Sequence, residues 1–429
     1  MKTEQLILYR DFEEGDLLTD MVWLAENYAD DFYNLSDKAG LLYDCMHRLL
    51  DMAGRYGFYG NLWHCYLANL LVNKENSYSC SAEIRGSVEG SVNLAALHDI
   101  RIFKEFYDYD LQTVAKALGA EEFSIVLFYE GNPQESKVYN TRIRDRICDL
   151  AQRFCLDHTP EEMKQTLTEF YQEYGVGRFG LHKAFRIEKR DGRAEIVPIT
   201  NIAHVKLDDL VGYELAKQKL VDNTEAFVSG KEANNCLLYG DAGTGKSTSI
   251  KAIANQYYDR GLRLIEVYKH QFCDLNDVIE QIKNRNYKFI IYMDDLSFEE
   301  FEIEYKYLKA VIEGGLEKKP DNVLIYATSN RRHLIREKFS DKEEVREDMH
   351  TSDTVQEKLS LYARFGVTIY YGAPDKKEFQ KIVTTLAEKY GVRMEQEALL
   401  LEANKWELAH GGLSGRTAQQ FINYLLGKQ

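Results

Sequence analysis

The sequence predicts an α/β fold for its second half, with a five-stranded parallel sheet and a C-terminal helical lid, after a helix-rich mixed first half. From Leu207 onward, short apolar runs alternate with amphipathic helical patterns, which is typical of a parallel sheet with helical crossovers. After the fifth apolar run, three helical stretches have no strand to alternate with. The predicted domains are a helix-rich α+β domain over 1–200, an α/β core over 201–373 and a lid over 374–429.

The first domain is predicted to be mainly helical and to end in a hairpin. Its long helical region has apolar residues at three- and four-residue spacing. The pair Asp191-Gly192 stands between two short apolar runs and favours a tight β-hairpin. The predicted elements are helices within 16–72, a buried strand within 119–131, helices at Arg142–Phe154 and Pro160–Tyr174, and the hairpin formed by 185–188 and 194–198.

The second domain is predicted to alternate strands and helices. Apolar runs of about five residues are separated by amphipathic stretches of ten or more residues, as crossover connections require. The predicted strands are Cys236–Tyr239, Leu262–Val267, Phe289–Met293, Val323–Ala327 and Val367–Tyr371. The predicted helices are Lys246–Tyr258, Leu275–Asn284 and Phe298–Glu313, then Lys376–Tyr390, Glu395–Ala409 and Ser414–Leu426 in the lid.

The charge of the chain is unevenly distributed. Lysine and arginine number 54 against 69 acidic residues, which gives a net charge of −15. Residues 1–200 carry −11 of this charge and residues 201–429 carry −4. This balance argues against nucleic acid as a partner bound through bulk charge. The acidic first domain is the part predicted to bind a partner.

Cysteine usage and hydropathy predict a cytoplasmic protein. The 7 cysteines are odd in number and never form a CxxC pair, which is not typical of a disulfide framework or a zinc ribbon. The amino terminus is acidic and lacks an apolar signal core, and no apolar stretch approaches the length of a membrane-spanning helix. Export and a membrane location are therefore not expected.

A glycine-rich loop follows the first predicted strand of the second domain and matches the pattern GxxxxGK[ST]. In such a loop, backbone N–H groups surround phosphate oxygens at the positive end of the following helix. Lys246 is expected to reach the β and γ phosphates, and the Ser247 hydroxyl is expected to bind Mg²⁺. The motif predicts ATP and Mg²⁺ as ligands of Gly240, Asp241, Ala242, Gly243, Thr244, Gly245, Lys246, Ser247 and Thr248.

A second motif places two acids at the end of the strand Phe289–Met293, which is the Walker B pattern. Asp294 is expected to hold the metal, directly or through water, and Asp295 to polarise the attacking water. Aspartate is shorter than the glutamate common at the second position, so Glu299 or Glu300 on the next turn is a candidate to assist. The alternative for Asp295 is a helix cap.

These motifs together resemble the AAA+ superfamily of P-loop ATPases. In that superfamily the next core strand ends in a polar residue named sensor 1, and Asn330, which follows Val323–Ala327, matches it. The alternative for Asn330 is a cap of the following helix. The turn Val211-Gly212 stands about thirty residues before the phosphate loop, where AAA+ proteins place an apolar-glycine turn against adenine.

Two arginines also match AAA+ positions. Arg364 precedes the fifth strand, where related ATPases have an arginine that reaches into a neighbouring subunit's site, although tyrosine and alanine replace the usual serine and aspartate before it. Arg416 begins the last helix, which is the usual place for a sensor 2 arginine that touches the γ-phosphate in its own subunit. Arg331 and Arg332 are rival candidates for the arginine that acts in trans, and the alternative for Arg364 is a surface salt bridge.

Residues 200–429 also resemble one bacterial ATP-binding family, known as a domain of unknown function within AAA+. That family carries paired aspartates at Walker B, so the resemblance implies that Asp295 is a family feature. The resemblance implies a mechanism of ATP hydrolysis but does not identify the client on which the protein acts. The matching stretches are 234–247, 287–299, 308–316 and 320–334.

The favoured interpretation is an ATPase that hydrolyses ATP at the interfaces of a homo-oligomer, with a hexamer among the candidates, and acts on an unknown protein client. The first alternative is a nucleotide-dependent switch or binding module with negligible turnover, because Asp295 stands where a glutamate is usual. The second alternative is a DNA-associated ATPase that resembles helicase loaders. It rests on a basic stretch after Asn330 and is opposed by the net charge; that stretch comprises Arg331, Arg332, Arg336 and Lys338.

Overall fold

The chain forms two compact units, Met1–His182 and Lys183–Gln429, and each is described by itself. The structure is a computed structural model that describes residues 2–86, 89–131, 140–190, 192–200, 202–298, 304–313, 320–330 and 361–428. Within these ranges, every helix is too short or too polar to cross a bilayer.

The first unit is an assembly of helices around an aromatic core. Tyr66, Phe103, Phe106 and Tyr171 are fully buried in a single hydrophobic cluster that runs through the unit. The helical pattern predicted from residue 16 onward is confirmed, with turns after the first and second helices. The described helices are Asp16–Asn27 (α1), Leu35–Tyr56 (α2), Leu62–Asn73 (α3), Ser77–Arg85 (α4), Ser91–Asp108 (α5), Leu111–Ala117 (α6), Ser124–Leu127 (α7), Thr141–Leu156 (α8), Pro160–Tyr174 (α9) and Gly177–Leu181 (α10).

The ends of α9 show why local sequence predicted this helix well. The Thr159 Oγ1 accepts a hydrogen bond from the Glu162 N–H, and the Glu162 carboxylate accepts one from the Thr159 N–H, which forms a capping box. Pro160 occupies the first helical position, where its missing N–H costs nothing. Gly175 follows the last turn with a φ of 84°, so a residue without a side chain ends the helix.

The buried strand predicted within 119–131 is wrong. Glu121–Phe123 forms a 3₁₀ turn and α7 follows it directly. Phe123 and Val126 are buried, while Phe128 is 70% exposed. The apolar run is therefore buried at a three-residue spacing, which a short helix provides, and its aromatic and β-branched composition was a misleading signal for a strand.

The sheet of the second unit has seven strands, not the five predicted. The five predicted strands are parallel, and the hairpin adds two more at one edge, of which β1 also runs parallel to its neighbour, with Phe185 opposite Ile265. The spatial order is β2-β1-β4-β5-β6-β3-β7, with β1 and β2 antiparallel. The strands are Ala184–Arg190 (β1), Arg193–Pro198 (β2), Cys236–Gly240 (β3), Leu262–Glu266 (β4), Lys288–Met293 (β5), Val323–Ser329 (β6) and Val367–Tyr371 (β7).

The hairpin was predicted to close the first domain, and this placement is wrong. β1 donates and accepts backbone hydrogen bonds along β4, so the hairpin belongs to the sheet of the second unit, which begins at Lys183. The Asp-Gly signal fixes only how two strands pair with each other, because the edge they join lies far away in the sequence. Asp191 lies outside the described residues, and Gly192 has a φ of 77°. The boundary predicted at 373/374 stays a prediction.

Helices cover both faces of the sheet and follow it at the carboxyl end of the chain. Three helices after β7 pack on one another through Phe379, Val383, Phe421 and Ile422, which confirms the three predicted helical stretches but does not test their role as a lid. The helices are Glu214–Val228 (α11), Lys246–Tyr257 (α12), Leu275–Ile282 (α13), Glu304–Glu313 (α14), Lys376–Tyr390 (α15), Gln396–Ala409 (α16) and Gly415–Leu426 (α17).

Candidate functional site

The glycine-rich loop connects the carboxyl end of β3 to the amino end of α12. Gly243 and Gly245 have φ angles of 75° and 94°, in the left-handed region that disfavours side chains. A Cβ on Gly243 would lie 3.0 Å from the Ser414 Oγ, and one on Gly245 would collide with the Leu210 side chain. Both glycines therefore allow the loop to curl tightly against neighbouring segments.

Lys246 lies at the first position of α12 with its ammonium folded back onto the loop. Its Nζ donates to the carbonyl oxygens of Gly240 at 3.0 Å and Asp241 at 2.6 Å. Burial lowers the pKa of Lys246, while the charges of Asp241, Asp295 and Asp294 oppose this effect. The loop thus holds a partly desolvated cation that an anionic ligand would stabilise.

The other residues of the predicted loop lie around the Lys246 ammonium. Thr244 is buried and its Oγ1 donates to the Asp241 carbonyl at 2.8 Å. Ala242 is exposed at the loop, and Thr248 is partly buried in the first turn of α12. The backbone N–H groups at the start of this helix are the donors that an anion would meet first.

Asp294, directly after β5, is bonded to the phosphate loop and to the neighbouring strand. Its Oδ1 accepts from the Ser247 Oγ at 2.7 Å and from the Thr328 Oγ1 at 2.6 Å. Desolvation raises the pKa of Asp294, but hydrogen bonds from Thr328, Ser247 and Tyr292 outweigh it, so the pKa is lowered overall. The carboxylate is therefore kept ionised beside the Ser247 hydroxyl.

Asp295 and Asn330 are joined directly. The Asn330 Nδ2 donates to the Asp295 Oδ1 at 2.7 Å, and the Asp295 N–H donates to the Thr328 Oγ1 at 2.9 Å. Asp295 has a φ of 50°, which is uncommon for a residue with a side chain and is held here by these bonds. The structure brings together the predicted sensor residue and the predicted catalytic carboxylate. Glu299 and Glu300 lie outside the described residues.

Thr328 was missed by the sequence analysis. It is 2% exposed at the end of β6, and its hydroxyl bridges the Asp294 carboxylate and the Asp295 backbone. A threonine two residues before Asn330 is a signal that could have been noticed, but β-branched residues are common in strands. Only the pairing of β5 with β6 shows that the hydroxyl meets the acids.

Replacing Thr328 with valine is expected to lower the free energy of unfolding of the second unit by about 1–3 kcal/mol, because the Asp295 N–H loses its acceptor. The measurement is urea unfolding followed by Trp406 fluorescence, with Trp23 and Trp63 replaced by phenylalanine. A Thr328→Ser variant keeps the hydroxyl and is the matched control. Equal unfolding midpoints for the valine and serine variants would contradict this role.

Val211 and Gly212 lie between the phosphate loop and the three C-terminal helices. Val211 packs against the hydrophobic cluster of those helices, and Gly212 has a φ of 84°. Tyr213 stacks on Tyr371 with ring centroids 5.2 Å apart, and its hydroxyl donates to the Gly372 carbonyl at 2.9 Å. Leu210, directly before the turn, lies against Gly245 of the loop, and the contact of Val211 and Gly212 with adenine stays a prediction.

Arg416 is placed beside the loop by its backbone. Its N–H donates to the Gly243 carbonyl at 3.2 Å, and Ser414 caps the helix by accepting from the Thr417 N–H. The Arg416 side chain is exposed, and its charge contributes to lowering the pKa of Lys246. The position therefore agrees with a cation that approaches a ligand of the loop in the same subunit.

Arg364 precedes β7, at the opposite end of this strand from the loop. β3 and β7 run parallel in a register from Cys236 with Val367 to Gly240 with Tyr371. β7 has 5 residues, so its ends are about 13 Å apart at about 3.3 Å per residue. Within one subunit the structure does not bring Arg364 to the phosphate loop. Residues 331–360, which include the rival arginines, lie outside the described residues.

The donor set suits a hard divalent cation bound together with phosphate. Ser247 and Asp294 offer oxygen ligands, which Mg²⁺ prefers. Among the described residues, no group of three or more histidine, cysteine, aspartate or glutamate side chains could hold a metal ion by itself. Phosphate and water oxygens would have to complete the coordination, as is usual for Mg²⁺ in nucleotide sites.

The site lies within a region that matches a family model. Residues 180–429, more than half of the chain, match the family described as "Protein of unknown function (DUF815)". The chain belongs to this family. The predicted resemblance to a domain-of-unknown-function family is therefore confirmed. The DUF815 region begins three residues before the second unit and includes the hairpin, in agreement with the strand pairing.

Other similarities of this DUF815 protein cover parts of known proteins. It is 34% identical over 74 residues to the replication factor C large subunit of Staphylothermus marinus, which is 17% of either chain. Solved structures of two RuvB mutants from Thermotoga maritima share 17% and 18% identity with it, at TM-scores of 0.37 and 0.36. These matches cover 51% of this chain and 63% and 64% of the RuvB chains, so it spans less than two thirds of each relative.

Proposed function

We propose that this protein is an AAA+ ATPase that binds ATP and hydrolyses it to ADP and phosphate with Mg²⁺. The observation that carries the proposal is the bond between Ser247 of the phosphate loop and Asp294 at the end of β5. It joins a phosphate-binding element to an ionised carboxylate, so Ser247 and Asp294 would together hold Mg²⁺ beside a bound triphosphate. A glycine-rich turn that only starts a helix would not need this partner.

Each residue of the site would have a separate role in binding and hydrolysing ATP. The loop N–H groups and Lys246 bind the phosphates, and Ser247 with Asp294 holds the metal. When bound, Mg²⁺ neutralises charge on the phosphate oxygens. Asp295 accepts a proton from the attacking water, and Asn330 orients the Asp295 carboxylate through their hydrogen bond. Nothing in this division requires a covalent intermediate on the protein.

Hydrolysis at the interface of a homo-oligomer is supported by the placement of Arg364. Its position at the opposite end of β7 from the loop suits an arginine that serves a neighbouring subunit. Arg416, bonded to Gly243 through its backbone, suits the arginine that serves its own subunit. We propose that residues 374–429 act as a lid, that the acidic first domain binds a protein client, and that a hexamer is one candidate assembly. Cytoplasmic location remains part of the proposal.

A switch with negligible turnover is the second candidate function. The observation in its favour is that the shorter acid at this position, Asp295, already accepts a hydrogen bond from Asn330, which leaves less freedom to reach a water. Sustained phosphate release would reject this candidate. The DNA-associated alternative rests on Arg331 and Arg332, which lie outside the described residues, so the prediction against nucleic acid also stays untested.

The test of the proposed function is phosphate release by the full chain. Lys246→Ala is expected to lower turnover by at least about 10²-fold, the range seen when one preorganised stabiliser of transition-state charge is removed. Lys219→Ala, which removes an exposed lysine of α11, is the matched control and is expected to behave as wild type.

An Asp295→Asn variant separates the two candidate functions. If Asp295 is the catalytic carboxylate, this variant binds ATP but no longer hydrolyses it, whereas the wild type does both. Binding without turnover in the wild type would favour the switch. Failure of the wild type to bind fluorescent ATP would reject both functions.

A further inference from the structure

Asp241, the second residue of the phosphate loop, forms hydrogen bonds through its backbone N–H, its carbonyl oxygen and its carboxylate. Its backbone N–H donates to the Tyr371 carbonyl at 3.0 Å. Its Oδ2 accepts from the Ala373 N–H at 2.7 Å. Its carbonyl oxygen accepts from the Lys246 Nζ and the Thr244 Oγ1. One residue therefore contacts both the ammonium of the loop and the segment that follows β7.

That segment is the short connection between the sheet and the C-terminal helices. β7 ends at Tyr371, and α15 begins at Lys376 after a capping box formed by Asp375 and Glu378. Pro374 has no N–H, so the Ala373 N–H is the last backbone donor of the connection before the cap. The Asp241 carboxylate accepts a hydrogen bond from this N–H, although Asp241 itself is exposed.

Two further bonds hold the connection and the last helix in place. The Tyr213 hydroxyl donates to the Gly372 carbonyl, which holds the connection from the side of α11. The Arg416 N–H donates to the Gly243 carbonyl, which ties the last helix to the loop. The C-terminal helices are thus attached to the loop through Asp241 at the connection before α15, and through Gly243 at the start of α17.

We propose that Asp241 is the positioning residue that couples nucleotide binding in the phosphate loop to the arrangement of the C-terminal helices, through its hydrogen bond to Ala373. The inference rests on the proposed function and deepens it. A triphosphate draws the Lys246 ammonium away from the Asp241 carbonyl, because a charged acceptor is stronger than a neutral one. Asp241 then shifts, and its bonds to Tyr371 at the end of β7 and to Ala373 carry the shift to the connection before α15.

The experiment is hydrogen exchange measured by mass spectrometry on the full chain, with and without Mg²⁺ and a non-hydrolysable ATP analogue. Without nucleotide, Asp241→Ala is expected to speed exchange of the Ala373 amide about tenfold or more, because it loses its acceptor. Asp241→Asn keeps an oxygen acceptor and is expected to retain most of the protection. Asp222→Ala removes an exposed carboxylate of α11 and is the matched control.

With the analogue, exchange in α15 to α17 is expected to change at least threefold in the wild type, the Asp241→Asn variant and the control. In Asp241→Ala this response is expected to be lost. A full response in Asp241→Ala, or no response in a wild type that binds the analogue, would overturn the coupling and leave the proposed function standing. A wild type that does not bind the analogue would overturn both, since the coupling has no input without nucleotide.

Discussion

Replacing Arg364 with alanine is expected to lower ATP turnover by about 10³-fold or more, which is the lower part of the range for an arginine that stabilises a phosphoryl transition state. Arg364 precedes β7 at the end far from its own phosphate loop, so we propose that it acts on the ATP of a neighbouring subunit. ATP binding should persist, because the loop, Lys246 and Asp294 are intact. The measurement is phosphate release beside binding of fluorescent ATP.

Mixing two inactive variants tests the shared site directly. In a random equal mixture of Arg364→Ala and Lys246→Ala subunits, about a quarter of the head-to-tail interfaces combine an intact loop with an intact arginine. Turnover should therefore reappear in the mixture, although either variant alone is inactive. Full activity of Arg364→Ala alone would remove the interface argument for this residue. The double variant of Arg331 and Arg332 would then be the next to measure.

Replacing Asp99 with alanine is expected to lower the free energy of unfolding of the first unit by about 3–5 kcal/mol, because several backbone donors lose a charged acceptor. Asp99 is fully buried on α5. Its carboxylate accepts from the N–H groups of Ile7, Leu8 and Tyr9 at 2.6–3.1 Å. These bonds fasten the amino-terminal segment, whose Tyr9 side chain is buried in the core.

The effect of Asp99 can be isolated with the tryptophans. A Trp406→Phe background leaves Trp23 and Trp63 as reporters of the first unit, because the chain has 3 tryptophans. Urea unfolding of Asp99→Ala is compared there with Glu105→Ala, which removes an exposed acid from the same helix. A shift in midpoint no larger than that of Glu105→Ala would show that the amino-terminal segment is held by other contacts.

Much of the fold could be predicted because the signals are local. The ends of α9 follow from Thr159, Pro160 and Gly175, and the parallel strands follow from short apolar runs bounded by turn residues. The segment around Phe123 was predicted wrongly, because the same apolar run suits a buried strand or a buried turn of helix. The hairpin itself was predicted correctly. Its pairing with β4 was not predicted, because that pairing depends on backbone groups far away in the sequence.

At the candidate site, the sequence by itself identified the residues that belong to recognisable motifs. A contiguous pattern predicts the phosphate-binding role of Gly243, Gly245, Lys246 and Ser247. The pattern is contiguous because one loop and the start of the following helix surround the phosphate. The pair after β5 was found in the same way. Asn330 was expected at a strand end beside the two acids, and the structure gives the bond that joins it to Asp295.

Only the tertiary structure decided how these residues are held. Thr328 binds both acids because β6 lies next to β5, and Asp241 reaches Ala373 because β7 lies next to β3. Neither contact has a local signature, since the partners are brought together by strand order rather than by spacing along the chain. The placement of Arg364 at the end of β7 far from its own loop is likewise a consequence of parallel register, which no single stretch of sequence contains.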